Sequence, residues 1–215
     1  MRLIKTTTSQ AIRFFESGQP GEPKSPVPLI RAMQDKYGFV QVPHTIADMN
    51  LQTGVNFFRG FFRGKMIDKL SVYNNGILCE SQQETEYNDG FLDEILSLVT
   101  SIAGLELKQT GVRAYVSGLE VGMPDDIGAK FEKFIGAGQK ITSLLKSYGQ
   151  TVDDYRFSGF KMHYDQTGKA PPHAPEFIFE RRAGELYSSN IYFSSAPIET
   201  KNHFELLNSI EELLS

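Results

Sequence analysis

The segment best suited to chemistry is a tandem Phe-Phe-Arg-Gly repeat over residues 57–64, followed by a lysine. On an extended strand, alternate side chains project to one face. That face would interleave aromatic rings with cations, a pattern that stacks bases and holds phosphates. Two other interpretations are open: a surface for a protein partner, or a sheet strand whose rings lie in the core and whose arginines pair with acids. The residues that would share this face are Phe57, Arg59, Phe61, Arg63 and Lys65.

A second candidate is a histidine–carboxylate pair at the end of a predicted strand. His163 and Asp165 are two residues apart, so they would share a face if the strand continued. His173, in the loop that follows, could fold back toward them. Such a pair could act as general acid and base on a small substrate. No Gly-x-Ser-x-Gly elbow is present and Cys79 has no neighbouring histidine, so we expect an ordinary hydrogen bond rather than catalysis.

Metal and cofactor sites receive little support. A single cysteine excludes a cysteine-based zinc site, and no two histidines have the His-x-x-x-His spacing. The acids between Glu80 and Glu94 match no calcium loop. Residues 167–169 (Thr-Gly-Lys) lack the preceding glycine and the following serine or threonine of a phosphate loop, and Gly-x-Gly-x-x-Gly is absent. We therefore expect neither a metal nor a cofactor.

Composition narrows the function classes further. The chain has 22 Lys and Arg against 26 Asp and Glu, a net charge of −4, and neither half is basic. This argues against a nucleic-acid binder driven by bulk charge. Hydrophobic residues at 40% and charged residues at 22% are typical of a globular protein. We find no signal-peptide pattern and no apolar run of about 20 residues, so we predict a soluble, cytoplasmic protein.

Local patterns predict the elements that would position these residues. Asn74-Asn75-Gly76 between two apolar runs predicts a hairpin with strands at about 66–73 and 77–82. A helix should follow, capped by Asn88. Alternation over 110–122 predicts a half-buried strand, and Asp125 and Asp126 should start a second helix. Its interior glycines suggest a break near Gly136 or the close approach of another backbone.

The end of the chain predicts three strands and a helix. The strands are expected over 155–164, 176–182 and 186–195, the last two joined at Ala183-Gly184-Glu185. Asn202 and Glu205 have the spacing of a capping box for a helix over 202–214. Both halves of the chain hold a hairpin, a further strand and a helix. An internal repeat is therefore conceivable, although sequence identity between the halves is not apparent.

Together these patterns predict a single α+β domain over 29–215, preceded by an N-terminal arm and a Pro/Gly-rich loop over 1–28. Within the arm, residues 1–17 could form a strand and a short helix. The sheet should be mostly antiparallel, with about six strands and three to four helices mainly on one face. We expect a non-catalytic binding or assembly protein that contacts protein partners, the simplest case being self-association through a sheet edge or the last helix. A nucleic-acid or nucleotide binder using residues 57–65 and a small-substrate enzyme using His163 and Asp165 are the alternatives. We expect no membrane contact.

Overall fold

A computed structural model describes residues 1–16, 26–103, 108–163 and 176–214. These residues contain eight β-strands and five α-helices. The strands are β1 Arg2–Phe15, β2 Val55–Phe62, β3 Lys65–Tyr73, β4 Gly76–Ser81, β5 Gln109–Gly122, β6 Gly159–Met162, β7 Phe177–Arg181 and β8 Ile191–Ala196. The helices are α1 Val27–Tyr37, α2 Thr85–Ala103, α3 Ile127–Lys130, α4 Glu132–Ser147 and α5 Thr200–Leu214.

All eight strands form one antiparallel sheet in the order β2-β3-β4-β1-β5-β8-β7-β6. The α+β class and the antiparallel sheet were therefore predicted correctly. The counts were wrong, because the described residues hold eight strands rather than about six, and five helices rather than three to four. Most of the extra sheet comes from the start of the chain.

Residues 2–15, which we assigned to an N-terminal arm with a strand and a short helix, form the continuous strand β1. It pairs with β4 on one side and β5 on the other, so it lies in the middle of the sheet. Its register with β5 shifts at three places, and these irregularities interrupt the alternation that would have identified the strand.

The chain is built as two halves with the same topology. Each half runs strand, helix, three strands, helix, and in the second half the first helix is divided into α3 and α4. Outward from the centre, the first half contributes β1, β4, β3 and β2, and the second contributes β5, β8, β7 and β6. An approximate two-fold axis therefore passes between β1 and β5, where Ser9 pairs with Ser117.

The first residues of α2 and α5 form a reciprocal pair of hydrogen bonds that follows this symmetry. The backbone N–H of Thr85 donates to Thr200 Oγ1 at 3.0 Å, and the N–H of Thr200 donates to Thr85 Oγ1 at 2.9 Å. The two threonines are 115 residues apart, and the same interval separates Gly76 from Ile191, the first residues of β4 and β8. Each hydroxyl thus satisfies a helix-start N–H group that its own helix leaves unpaired.

The two long helices pack on the same face of the sheet. Asn88 of α2 donates to Ser9, and His203 of α5 bonds to Ser117. These serines are opposite each other in paired strands and so project to the same side. Two apolar clusters lie beneath the helices, one built around Leu70, Cys79 and Phe91 and the other around Leu119, Phe179 and Leu207.

Several expected helix boundaries are shifted. Asn88 lies inside α2, fully buried, and is not its cap. The last helix begins at Thr200, so Asn202 is not its cap either. Asp126 does cap α3, with its carboxylate accepting from Gly128 N at 2.8 Å. The helix break falls at Phe131 rather than near Gly136, and the close backbone approach occurs at Gly138.

Candidate protein interface

The two Phe-Phe-Arg-Gly repeats adopt related backbone conformations. Arg59 and Arg63 both have positive φ, at 56° and 44°. With Gly64 at φ 77°, Arg63 forms the two-residue turn of the β2–β3 hairpin, because Phe62 pairs directly with Lys65. Consecutive positive φ values are typical of the turn that matches the twist of a hairpin. Arg59 places the same conformation in the middle of a strand.

The left-handed residue at Arg59 interrupts the alternation of β2, so the five predicted side chains do not share one face. Phe57 is only 2% exposed and packs against Phe39, with ring centroids 5.4 Å apart. Phe61 is 54% exposed. Arg59, Arg63 and Lys65 are exposed as well. Four of the five predicted residues therefore lie at the surface of the hairpin, and Phe57 forms part of the core beneath it.

Contacts with α2 hold the hairpin tip in place. The hydroxyl of Tyr87 donates to Phe62 O and to Lys65 O, the second at 3.3 Å. The guanidinium of Arg63 lies 4.7 Å from the centre of the Phe62 ring, and the ammonium of Lys65 lies 5.5 Å from that of Tyr87. The cations at the tip thus rest on aromatic faces and keep their charged ends in contact with water.

The hairpin surface combines positive charge with exposed apolar groups. Phe61 pairs with Met66, which is exposed. Val40 is also exposed and lies against β2, its N–H donating to Phe58 O at 3.1 Å. Burial raises the pKa of Asp68, and the nearby charge of Arg59 opposes that rise. We call the exposed set the hairpin surface; it comprises Val40, Arg59, Phe61, Arg63, Lys65 and Met66.

An open cavity of about 450 Å³ lies beside this surface and is lined in part by Phe58, Asn56 and Asp48. Two of its polar side chains are already hydrogen-bonded within the chain. Asn56 Oδ1 accepts from Ser71 Oγ at 2.7 Å, and its amide donates to Gly54 O. Asp48 accepts from the backbone N–H of Thr45, and this bond holds the pKa of the carboxyl below its usual value. The side chains of Asn56 and Asp48 are therefore less available to a ligand than the exposed cations of the hairpin surface are.

The predicted acid–base pair is only partly described by the structure. His163 follows β6 at the edge of the sheet, is exposed, and lies 3.7 Å from Glu176. It lines neither the cavity beside Phe58 nor the one beside Leu96. Asp165 and His173 lie outside the described residues, so their pairing with His163 stays a prediction.

Sequence reasoning did not find the buried charge cluster under α2. Arg13 is 1% exposed, and its Nη1 lies 2.5 Å from Asp89 Oδ1. Asp89 also accepts from the hydroxyl of Tyr115 at 2.7 Å, and Arg113 lies 3.7 Å away. Burial tends to lower the pKa of Arg13, but Asp89 outweighs it and the pKa is raised. The only hint in the sequence was the acidic run at the start of α2.

A buried histidine was also missed. His203 Nδ1 lies 2.8 Å from Ser117 Oγ, and its Nε2 lies 2.8 Å from Ser194 Oγ. All three residues are fully buried, so no substrate can reach them. Desolvation lowers the pKa of His203 to about 4, which leaves it neutral at pH 7. The arrangement is a structural hydrogen-bond network of the core.

Within the part of the chain that the structure describes, no three His, Cys, Asp or Glu side chains are grouped so as to hold a metal ion. Among the described helices, none combines the length and hydrophobicity that a bilayer crossing requires. Comparison with known proteins finds no family model that matches the chain and no matching curated protein.

Proposed function

We propose that this protein is a non-catalytic binding protein whose hairpin surface docks an acidic segment of a protein partner. The observation that carries the proposal is the left-handed backbone of two exposed arginines, Arg59 and Arg63, on either side of exposed Phe61. A left-handed conformation costs a residue other than glycine about 1 kcal/mol. Glycine would avoid this cost and asparagine would reduce it, so we infer that the guanidinium groups are retained for what they bind.

The charge of the hairpin supports an acidic partner. Residues 55–73 contain Arg59, Arg63, Lys65 and Lys69 but one acid, Asp68, within a chain of net charge −4. Cations grouped on one element of an acidic protein favour association with a negatively charged surface. The exposed Phe61 and Met66 add an apolar contact, as aromatic residues and methionine commonly do in protein interfaces. A peptide with both acidic and apolar residues fits this combination.

The test is the double variant Arg59→Asn with Arg63→Asn. Asparagine tolerates positive φ, so we expect the free energy of unfolding in urea to stay equal or rise. The binding probe is a fluorescein-labelled peptide of alternating Glu and Leu, followed by fluorescence anisotropy. We expect its affinity to fall at least tenfold in the variant, and the wild-type affinity to decrease as salt is raised.

The matched control is Lys161→Asn, which removes an exposed cation from β6 at the opposite edge of the sheet and should leave peptide affinity unchanged. Equal binding by wild type and double variant would overturn the proposal. Binding of a single-stranded oligonucleotide in place of the peptide would also overturn it, and would support the nucleic-acid alternative instead.

A further inference from the structure

The outer edge of β2 is one end of the sheet, and the described residues cover only part of it. Gln41 forms an antiparallel bridge with Phe58, whose N–H donates to Gln41 O at 3.0 Å. Continued along the edge, this pairing would place Gly38 opposite Phe61. Gly38 instead ends α1 in the left-handed conformation, with its N–H bonded within the helix. The chain therefore enters the edge at Val40 and does not pair with the hairpin tip.

The backbone of Phe61 is directed toward this part of the edge. Phe62 and Lys65 pair across the two-residue turn, and hydrogen-bonded pairs alternate with non-bonded pairs in an antiparallel ladder. Gly60 therefore bonds to Ile67, and Phe61 points its N–H and C=O away from β3. Among the described residues, no backbone group outside the strand bonds to either of them. The tip thus offers a donor and an acceptor to an added strand.

The apolar and the cationic groups at the tip lie on opposite faces of the hairpin. Phe62 faces α2, where its ring centroid lies 5.3 Å from that of Tyr87. The guanidinium of Arg63 lies over the Phe62 ring and the ammonium of Lys65 over the Tyr87 ring, so both cations are on the helix side. Phe61 is the strand neighbour of Phe62, and alternation places it on the other side. A ligand that contacts both kinds of group must reach both faces at once.

An extended segment that runs along the edge meets this requirement, because its successive side chains alternate between the two faces. We propose that the acidic partner segment binds as an added antiparallel strand opposite Phe61, with acids on the helix side and apolar residues on the other. This inference rests on the proposed function and specifies its ligand as an extended segment of alternating acidic and apolar residues. In strand addition, main-chain hydrogen bonds supply affinity and alternate side chains supply specificity. The antiparallel direction is that of every strand pair in the sheet.

The charges at the tip favour this occupant over a second copy of the chain. Among the described residues, Arg59, Arg63 and Lys65 form no ion pair. Pairing of two copies along this edge would bring these cations together, and charged side chains on edge strands commonly oppose such self-pairing. The same cations attract a strand that carries acids.

The test uses the fluorescein-labelled peptide of alternating Glu and Leu in two N-methylated forms. In the antiparallel arrangement, the residue opposite Phe61 lies on the same face and exchanges both backbone hydrogen bonds with it. The leucine N–H groups therefore face β2, and the glutamate N–H groups face away from it. N-methylation of the leucines removes these donors, so we expect affinity for the intact protein to fall at least tenfold. The matched control is the peptide N-methylated at the glutamates, which should retain the affinity of the unmodified peptide.

Amide hydrogen exchange followed by NMR gives a second readout. Saturation with the unmodified peptide should slow exchange of the Phe61 N–H at least tenfold, because the added strand accepts from it. The N–H of Lys161, on β6 at the opposite edge of the sheet, should exchange as it does in the free protein.

Equal affinity of the two methylated peptides, or unchanged exchange at Phe61 in the saturated complex, would overturn the added strand while the acidic ligand stands. Absence of binding by the unmodified peptide would overturn the proposed function and this inference together. A dimer of the protein alone that Phe61→Glu converts to a monomer would assign the edge to a second copy and would also overturn the inference.

Discussion

The two halves of the molecule share a topology but stabilise equivalent positions with different chemistry. In β1, Arg13 pairs with Ile77 of β4, and in β5 the corresponding Val121 pairs with Tyr192 of β8. The buried Arg13 contacts Asp89 on α2, whereas the residue 115 positions later on α5 is Phe204. One half therefore holds an ion pair where the other holds two apolar side chains. At these equivalent positions the fold accepts either an ion pair or two apolar side chains, so charge is not required there.

The same contrast holds for the polar residue that each long helix directs at the central strands. Asn88 accepts from Ser81 Oγ at 2.7 Å and donates to Ser9 Oγ at 2.7 Å. At the equivalent position His203 lies between two serines. Both solutions satisfy every buried hydroxyl they touch, which is the condition for placing polar groups in a core. Of these two residues, only the histidine can take up a proton between pH 7 and pH 4.

The largest expected effect comes from breaking the ion pair. Asp89→Asn leaves the Arg13 guanidinium buried without its counter-charge, so we expect the free energy of unfolding to fall by about 3–5 kcal/mol. Urea denaturation followed by circular dichroism measures it. The double variant Arg13→Met with Asp89→Leu reproduces the apolar chemistry of the second half and should recover most of this loss. If the double variant were as unstable as Asp89→Asn, the charge itself would be required.

A smaller effect is expected from acid. His203 is neutral in the folded protein because desolvation lowers its pKa from 6.5 to about 4. As pH falls through this range, the unfolded chain takes up the proton first, so stability is lost between about pH 6.5 and pH 4. The shift corresponds to about 3 kcal/mol.

The variant His203→Asn, which borrows the residue of the first half, tests this assignment. Urea unfolding measured at intervals from pH 7 to pH 4 should show a shallower loss of stability in the variant than in wild type. Parallel curves for the two proteins would show that His203 does not carry the effect. The carboxylates that titrate in the same range are unchanged by the substitution and serve as the common background.

The smallest effect probes the symmetry axis itself. Thr85→Ala and Thr200→Ala each remove the acceptor for the other helix's first N–H group, so each should cost about 1–2 kcal/mol. The hydroxyl of Thr85 also donates to Glu86 Oε2 at 3.1 Å, so Thr85→Ala should cost slightly more than Thr200→Ala. Thermal unfolding of both variants and the double variant measures the costs, and a larger cost for Thr200→Ala would show that the two halves depend unequally on the reciprocal contact.

The sequence predicted those elements whose pattern is local. The hairpin of β3 and β4 and strand β5 were found from turn residues and periodicity, and the structure has them at nearly the expected bounds. The full length of strand β1 was not predicted because its run of Thr and Ser around Ser9 is polar, although Ser9 is buried in the structure. The partners that bury it, Asn88 and Ser81, are more than 70 residues away along the chain.

The sequence predicted most residues of the candidate site but not the face of the strand on which each side chain lies. The sequence identified four of the six residues of the hairpin surface, but strict alternation assigned Phe57 to the same face. The alternation failed because positive φ at Arg59 shifts its phase. The signal for this shift was present, since each arginine precedes a glycine as Asn precedes Gly in common hairpin turns. The charge cluster around Arg13 depends on distant contacts and carried no comparable local signal.

The central position of β1 has a consequence for how the chain folds during synthesis. Strands β1 to β4 and helix α2 emerge from the ribosome before β5, so β1 can pair with β4 while its other side has no partner. That side is a 14-residue strand edge, long enough to pair with another chain. Until β5 closes it, the nascent protein presents a template for misassembly. Slow translation or truncation after α2 should therefore promote aggregation, and the completed sheet removes the hazard by burying that edge at its centre.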